Sequence, residues 1–259
     1  MVLPVYWIDT LCAAEHDFSI GFDAMFMDYE ESGAMEEDGD LYGVTGKYTF
    51  HGRWHGRWMC EAGLRYLEGD LDYEGRTFGG SPAVAESEDW VMEARFLVGR
   101  DYGPKRGILV TPFSGMGYRF WNSDIQGAEG YEREVEYLYS PVGVRLSSSL
   151  SPNWDLGLSA EYDIFWGGNV KTYLSDVDPG FSDPEVDQDA GYGYGLKLSA
   201  SLERRLSPGY TLAVEPYLNY WDIDDSDREI VYYNGVGFFE VYEPENKTTS
   251  YGCRINLIF

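Results

Sequence analysis

The sequence is poor in cysteine and histidine, with three of each in 259 residues, and poor in positive charge, with 19 Lys and Arg against 45 Asp and Glu. Cys12, Cys60 and Cys253 are scattered along the chain, which excludes a dense disulfide framework and the paired spacing of a zinc site. A net charge of −26 argues against polyanionic partners, so no nucleic acid is expected as ligand. No run approaches the ~18–20 consecutive apolar residues of a membrane-crossing helix. What is abundant is hydrophobic (44%) and aromatic (17%), with 22 Tyr, 8 Trp and 31 Gly. That is enough apolar mass for a core, and aromatic enrichment leans toward β structure.

Residues 1–14 (MVLPVYWIDTLCAA) read as the remnant of a secretion signal. The apolar run is interrupted by Asp9, but Cys12-Ala13-Ala14 forms a small-residue cleavage pattern before Glu15. A lipid-anchored Cys12 fits less well, because Asp9, Thr10 and Leu11 make a poor lipobox. Residues 15–259 are then a single domain.

The dominant signal in that domain is a period of two. Phe18, Ile20, Phe22, Ala24 and Phe26 alternate with Asp17, Ser19, Gly21 and Asp23. The same pattern recurs over residues 42–50, 60–66, 90–99, 110–120, 132–146, 156–166, 192–203, 211–220 and 251–259. In the sixth segment, Val135, Tyr137 and Tyr139 alternate with Glu132, Glu134 and Glu136. A bulge near Pro141 is expected there to shift the phase before Val142, Val144 and Leu146. Ten strands of about ten residues follow.

Periodicity does not say which face is outside, but three further features do. Short connections at 52–57, 101–106, 149–154 and 206–209 alternate with long ones near 28–40, 68–89, 121–131, 172–190 and 222–248. Acids crowd four of the long segments, where Arg76 and Arg228 are the bases. The short turns hold Arg53, Arg57, Arg100, Lys105, Arg106, Arg204 and Arg205. Aromatic residues, among them Trp54, Trp58, Trp90, Tyr102, Trp154, Trp166, Tyr192, Tyr210 and Tyr220, gather at the ends of the apolar faces, as rings do at a membrane–water interface. The expected fold class is all-β: a ten-stranded antiparallel transmembrane barrel, apolar outside and charged inside, with short periplasmic turns and long acidic extracellular loops.

On these residues the sequence resembles bacterial outer-membrane β-barrel proteins over about 16–259. The most recognisable parts are the terminal strand Ser250–Phe259 and the strand Thr111–Tyr118. The resemblance implies location in the bacterial outer membrane, contact with lipid and lipopolysaccharide, and insertion by the barrel-assembly machinery through the strand ending at Phe259.

The positions expected to face the lumen carry Glu61, Arg65, Glu93, Arg95, Arg119, Glu132, Glu134, Glu136, Arg145, Glu161, Asp163, Lys197, Glu203, Glu215 and Arg254. Two readings stand: a structural network of paired charges, or a narrow pore whose acid excess favours cations. Ten strands also invite comparison with the omptin proteases. Asp70 and Asp72 resemble the first acid pair of that family in spacing. The Asp–His pair is missing, because His16, His51 and His55 all map to the periplasmic rim. No enzyme is therefore expected; an omptin-like protease and a soluble ligand-carrying barrel are the alternatives. Ser114 lacks the strand–turn–helix setting of a nucleophile elbow. No cofactor is expected, beyond a weak Ca²⁺ or Mg²⁺ site at Asp222, Asp224, Asp225 and Asp227 as the alternative to a solvated acidic loop. Alternation over Ile230–Tyr242 suggests an exposed aromatic hairpin suited to contact with a surface or envelope partner through the 222–248 loop.

Overall fold

The structure, a computed structural model, describes residues 15–52, 57–76, 80–103, 107–127 and 129–259. Residues 1–14, with Cys12 and the expected cleavage pattern, lie outside the described residues, as do Arg53, Trp54, His55, Lys105 and Arg106.

Ten strands form the wall: β1 (Glu15–Glu31), β2 (Met35–Gly52), β3 (Arg57–Arg76), β4 (Pro82–Asp101), β5 (Ile108–Ile125), β6 (Glu132–Ser151), β7 (Trp154–Thr172), β9 (Gly193–Ser207), β10 (Tyr210–Ile223) and β13 (Asn246–Ile258). Each pairs antiparallel with its neighbours, and the β1–β13 ladder closes the sheet into a tube. Closure matters because an open edge in hydrocarbon would leave backbone N–H and C=O groups with no partner. The seam ends in a reciprocal pair of backbone bonds, Phe18 N to Phe259 O and Phe259 N to Phe18 O, both 2.8 Å. Two further pieces sit at the extracellular end. Strand β8 (Glu185–Gln188) adds to the top of β7, and β11 (Glu229–Tyr233) with β12 (Val236–Val241) forms a separate hairpin. That hairpin turns on Asn234-Gly235, with φ of 49° and 79°, the left-handed pair that a two-residue turn requires.

The strands are longer than the ten residues the alternation predicts. A membrane crossing needs about 9–11 residues, yet β1 to β7 carry 17 to 20. The expected loops at 28–40 and 68–89 are mostly strand: the β1–β2 connection is residues 32–34, and β3 runs to Arg76. True loops remain at 173–192 and 224–245, above the shorter strands β9, β10 and β13.

The added length inverts the polarity rule without changing the phase. On the outer face of β1, Phe18, Ile20 and Phe22 are exposed, and Asp28 and Glu30 continue the same row upward. On its inner face Asp23 is buried first, then Met25, Met27 and Tyr29. Strand β3 repeats this: Leu64 and Tyr66 outside give way to Glu68, Asp70 and Asp72, while Arg65 inside gives way to Leu67, Leu71 and Tyr73. Where hydrocarbon surrounds the tube, the apolar face points out. Where water surrounds it, the apolar face points in. The upper barrel therefore has an ordinary core of 20 buried apolar residues. Trp121, Tyr137, Tyr139, Phe165 and Trp221 form its aromatic centre, with edge contacts of 5.1–5.5 Å such as Tyr137 on Phe165 and Tyr139 on Trp221.

One glycine makes room for this packing. A Cβ at Gly117 would sit 2.1 Å from Tyr139 Cζ, so the ring lies flat against bare β5 backbone. The expected phase shift exists but lies on the neighbouring strand. Opposite Leu138 and Tyr139 stand Gly167 and Phe165, so Trp166 is the extra residue and β7, not β6, is bulged. Strand β6 keeps one phase throughout: Arg133, Val135, Tyr137 and Tyr139 point inward. Glu132, Glu134 and Glu136 consequently point outward and are not luminal, which corrects the expectation drawn from their alternation with apolar residues.

Candidate functional site: the charged lumen and its apolar plug

Inward positions of the membrane-spanning strands bring together most of the expected charges. Arg65 Nε donates to Asp23 Oδ2 at 2.7 Å, and Arg254 reaches the same oxygen at 3.2 Å and Glu215 at 3.2 Å. Tyr217 donates to Asp23 Oδ1 at 2.8 Å and lies against both guanidinium groups. Arg145 pairs with Glu61 at 3.0 Å, which also faces Lys47 at 3.7 Å. Arg95 pairs with Glu161 at 2.5 Å. Lys197 sits between Glu93 at 2.5 Å and Asp163 at 3.3 Å, and donates to Tyr139, whose hydroxyl also bonds Glu93. Arg119 is held differently. It stacks beside Trp121 and Tyr137 at 5.8 and 5.5 Å and approaches the sulfur of Met27.

Among the described residues, the membrane-spanning part of the lumen thus holds seven cations (Lys47, Arg65, Arg95, Arg119, Arg145, Lys197, Arg254) and seven anions (Asp23, Glu61, Glu93, Glu161, Asp163, Glu203, Glu215). Seven against seven is balanced, so the acid excess expected from sequence is absent. The surplus came from Glu132, Glu134 and Glu136, which face outward. Alternating signs on adjacent strands satisfy one another where neither could be left alone in a narrow tube.

All of these charges but Asp23, Arg119 and Asp163 line a cavity of about 200 Å³ in the periplasmic half. Above it the next void, about 20 Å³ among Met25, Val91, Arg119 and Trp221, is room for about one water. Beyond that the apolar core closes the tube.

Above the membrane a second polar group is buried inside the core. Arg133 contacts Glu31 at 2.6 Å, Tyr29 at 2.7 Å and Glu243 of the 224–245 loop. Tyr29 donates to Glu31 at 2.9 Å and to Glu243 at 2.7 Å. Burial, and then the neighbouring Glu243, raise Glu31 from its ordinary value to about 8. Nearby, burial and then Asp89 raise Glu37 to about 7, while its Oε1 accepts from Ser123 at 2.9 Å. The sequence pattern missed Asp23, Tyr139, Tyr217, Glu31 and Arg133 as members of these networks. Asp23 and Tyr217 stand in the inward row of the alternation, whereas Tyr139 and Arg133 belong to positions that read as outward and Glu31 to one that reads as loop.

The remaining expected sites do not assemble. Asp70 and Asp72 are exposed on the outer face of β3. Among the described histidines, His16 bonds Tyr48 at 2.7 Å and His51 faces Asp101 at 3.3 Å, both at the periplasmic end. In the Asp-rich run, Asp222 accepts from Tyr220 at 3.0 Å, whereas Asp227 accepts from the Asp187 backbone N–H at 2.8 Å. Asp224 and Asp225 are exposed, and no group of three metal-type ligands forms among the described residues. Cys60 and Cys253 are free and half-buried.

No protein-family model matches the chain, and neither does any curated protein sequence. Among solved structures the chain is similar to the outer membrane protease OmpT from Escherichia coli, with 10% identity, 95% of this chain and 96% of that chain covered, and a TM-score of 0.63. Weaker similarity links it to the translocator domain of the autotransporter NalP from Neisseria meningitidis (8% identity, 94% and 88% covered, TM-score 0.47). The same holds for Ail, the attachment invasion locus protein of Yersinia pestis (9% identity, 95% and 99% covered, TM-score 0.36). With its closed antiparallel wall and apolar outer belt, the chain has the fold of the bacterial outer-membrane β-barrels, and its surface is the one that location requires.

Proposed function

We propose that this chain is a non-enzymatic barrel of the outer membrane that acts at the cell surface and does not pass solute. The observation that carries the reading is the plug. A tube filled by Trp121, Tyr137, Tyr139, Phe165 and Trp221 across its upper half has no continuous path for a hydrated ion. The balanced luminal charges then serve as a structural network that stiffens the wall. What remains available for interaction is the extracellular crown. Its outer face presents Asp28, Glu36, Asp38, Glu68, Asp70 and Asp72 on β1 to β3. Above it stands the hairpin β11–β12, with Ile230, Tyr232, Val236 and Phe238 exposed. Exposed aromatic and aliphatic side chains on a stiff hairpin suit contact with a protein partner, and the surrounding acids suit a basic one. At the outer leaflet, the same acids favour divalent cations as bridges to lipopolysaccharide phosphates.

Two measurements test this. Purified barrel in a planar bilayer is expected to give no discrete conductance steps; stable steps would return the pore reading. Incubation of folded barrel with basic and acidic protein substrates is expected to leave them intact. Cleavage that disappears in Asp70→Asn would return the omptin-like reading, which the fold similarity alone keeps in view.

A further inference from the structure

Two features on the outside of β2 to β5 lie in one line and point to a lipid. The first is an apolar trough of about 680 Å³ in the wall facing hydrocarbon. On the outer face Gly46 and Ala94 flank Leu64, and Ala62 stands one outward position below it between Tyr48 and Phe96; Phe18, Phe96 and Leu138 form the edges of the trough. A Cβ at Gly46 would meet nothing within 4 Å.

The second feature is Arg100, directly below on β4. Successive outward pairs on β3 and β4 run Leu64–Ala94, Ala62–Phe96, Cys60–Val98 and Trp58–Arg100. The guanidinium lies between the rings of Trp58 and Tyr102, at 5.6 and 5.4 Å, and has no ion pair among the described residues. Arg100 is one residue from the periplasmic end of its strand. A cation held by two interfacial rings at that height faces the headgroup layer, where the available anions are phosphates. From Arg100 to Ala94 the strand rises about 20 Å at 3.4 Å per residue, a distance on the scale of one acyl chain.

We propose that this face binds one anionic glycerophospholipid of the periplasmic leaflet, its phosphate on Arg100 and an acyl chain across Gly46, Ala62 and Ala94. The site needs both parts. The other cation–ring pair at this rim among the described residues, Arg204 over Trp154 at 5.4 Å, lies below exposed Leu158 and Leu202, and no residue of its two strands lines the trough. It is the internal control. The proposal stands on the membrane placement alone and is independent of the surface-contact reading.

The test is native mass spectrometry of the full-length barrel, released from detergent in the presence of palmitoyl-oleoyl-phosphatidylglycerol. Wild type and Arg204→Gln are expected to retain one lipid. Arg100→Gln removes the phosphate partner, and Gly46→Phe places a ring in the trough from a position where the added Cβ meets nothing within 4 Å. Each is expected to lower occupancy about fivefold. Diacylglycerol, with the chains but no phosphate, is expected not to remain bound. Equal occupancy in all four proteins would overturn the proposal by reducing the lipid to ordinary annular contact. A dimer of the chain that disappears in Gly46→Phe would overturn it in favour of a second copy as occupant. Gel mobility of unheated samples checks that each variant is folded.

Discussion

Lys197 shows at the level of one residue what holds the lumen together. Its ammonium group faces Glu93, Asp163 and Tyr139 on three different strands. Removing it leaves two carboxylates buried without their cation, and breaking such a pair costs about 3–5 kcal/mol. Lys197→Met is therefore expected to lower the urea midpoint of barrel unfolding in lipid vesicles, and adding Glu93→Gln is expected to recover part of the loss. Glu31 makes the opposite kind of contribution. Its carboxyl is raised on folding from 4.5 to about 8, so the folded chain holds this proton where the unfolded chain has released it. Between those two values stability falls as pH rises, and the stabilisation is fully present only on the acid side. Unfolding midpoints of the wild type are expected to drop from pH 5 to pH 9. In Glu31→Gln that slope is expected to flatten, with the variant gaining most at pH 9. A slope unchanged by the substitution would show that other groups carry the pH dependence.

Strand β7 carries a lesson about register. Trp166 is the extra residue that lets Phe165 point into the core and Asn169 and Lys171 point to water on the far side of the bulge. Deleting Trp166 removes the bulge and leaves Phe165 opposite Tyr139 and Gly167 opposite Leu138, so every residue above it keeps its face. Val170 would stay opposite Val135 in the core, and Lys171 would stay opposite Glu134 on the outer face. The deletion is therefore expected to leave the extracellular half folded, read as resistance to protease cleavage within 168–192; cleavage there would show that the bulge itself, and not the register, is needed. The sequence displays the alternation on both sides of this point but not the strand on which the extra residue sits, because Pro141 and Gly167 are both plausible breaks. Legibility followed the solvent in the same way. Rows such as Phe18–Phe22 and Leu64–Tyr66 face lipid and read correctly, since one apolar face in hydrocarbon has one orientation. Val135, Tyr137 and Tyr139 read wrongly, since a pattern of identical period is also produced by an apolar interior under water. Nothing in the local sequence of β6 marks the height at which one solvent replaces the other; the change from Leu138 to Glu136 on its outer face does so only once the strand is placed in the barrel.

At the scale of the molecule the barrel is two proteins in one tube: a membrane half with a charged interior, and an aqueous half with an apolar one. On the proposed function, the boundary between them is what stops conduction. The lower half already contains a cavity of about 200 Å³, and above it the blockage consists chiefly of wall side chains, joined by Val186 of β8 and by Glu243 of the 224–245 loop. Opening the tube therefore requires removing mass. Trp121 and Trp221, from β5 and β10, fill the centre with Tyr137 of β6, and Tyr137 lies 5.5 Å from Trp221. Each large-to-alanine change at such a site costs about 3–5 kcal/mol, so the triple replacement must be made in a barrel whose lower half is held by its own ion pairs and by lipid. The combined variant Trp121→Ala, Tyr137→Ala and Trp221→Ala is expected to join the lower cavity to the crown and to give small, discrete conductance steps in a planar bilayer, against none for the wild type. Because the luminal charges balance, those steps are expected to show weak ion selectivity, and reversal potentials in a salt gradient measure it. Adding Lys197→Met to that variant tips the lumen toward acid and is expected to shift the reversal potential toward cations. Strong cation selectivity before that change would mean that the acids of the crown, and not the network of the tube, govern what enters.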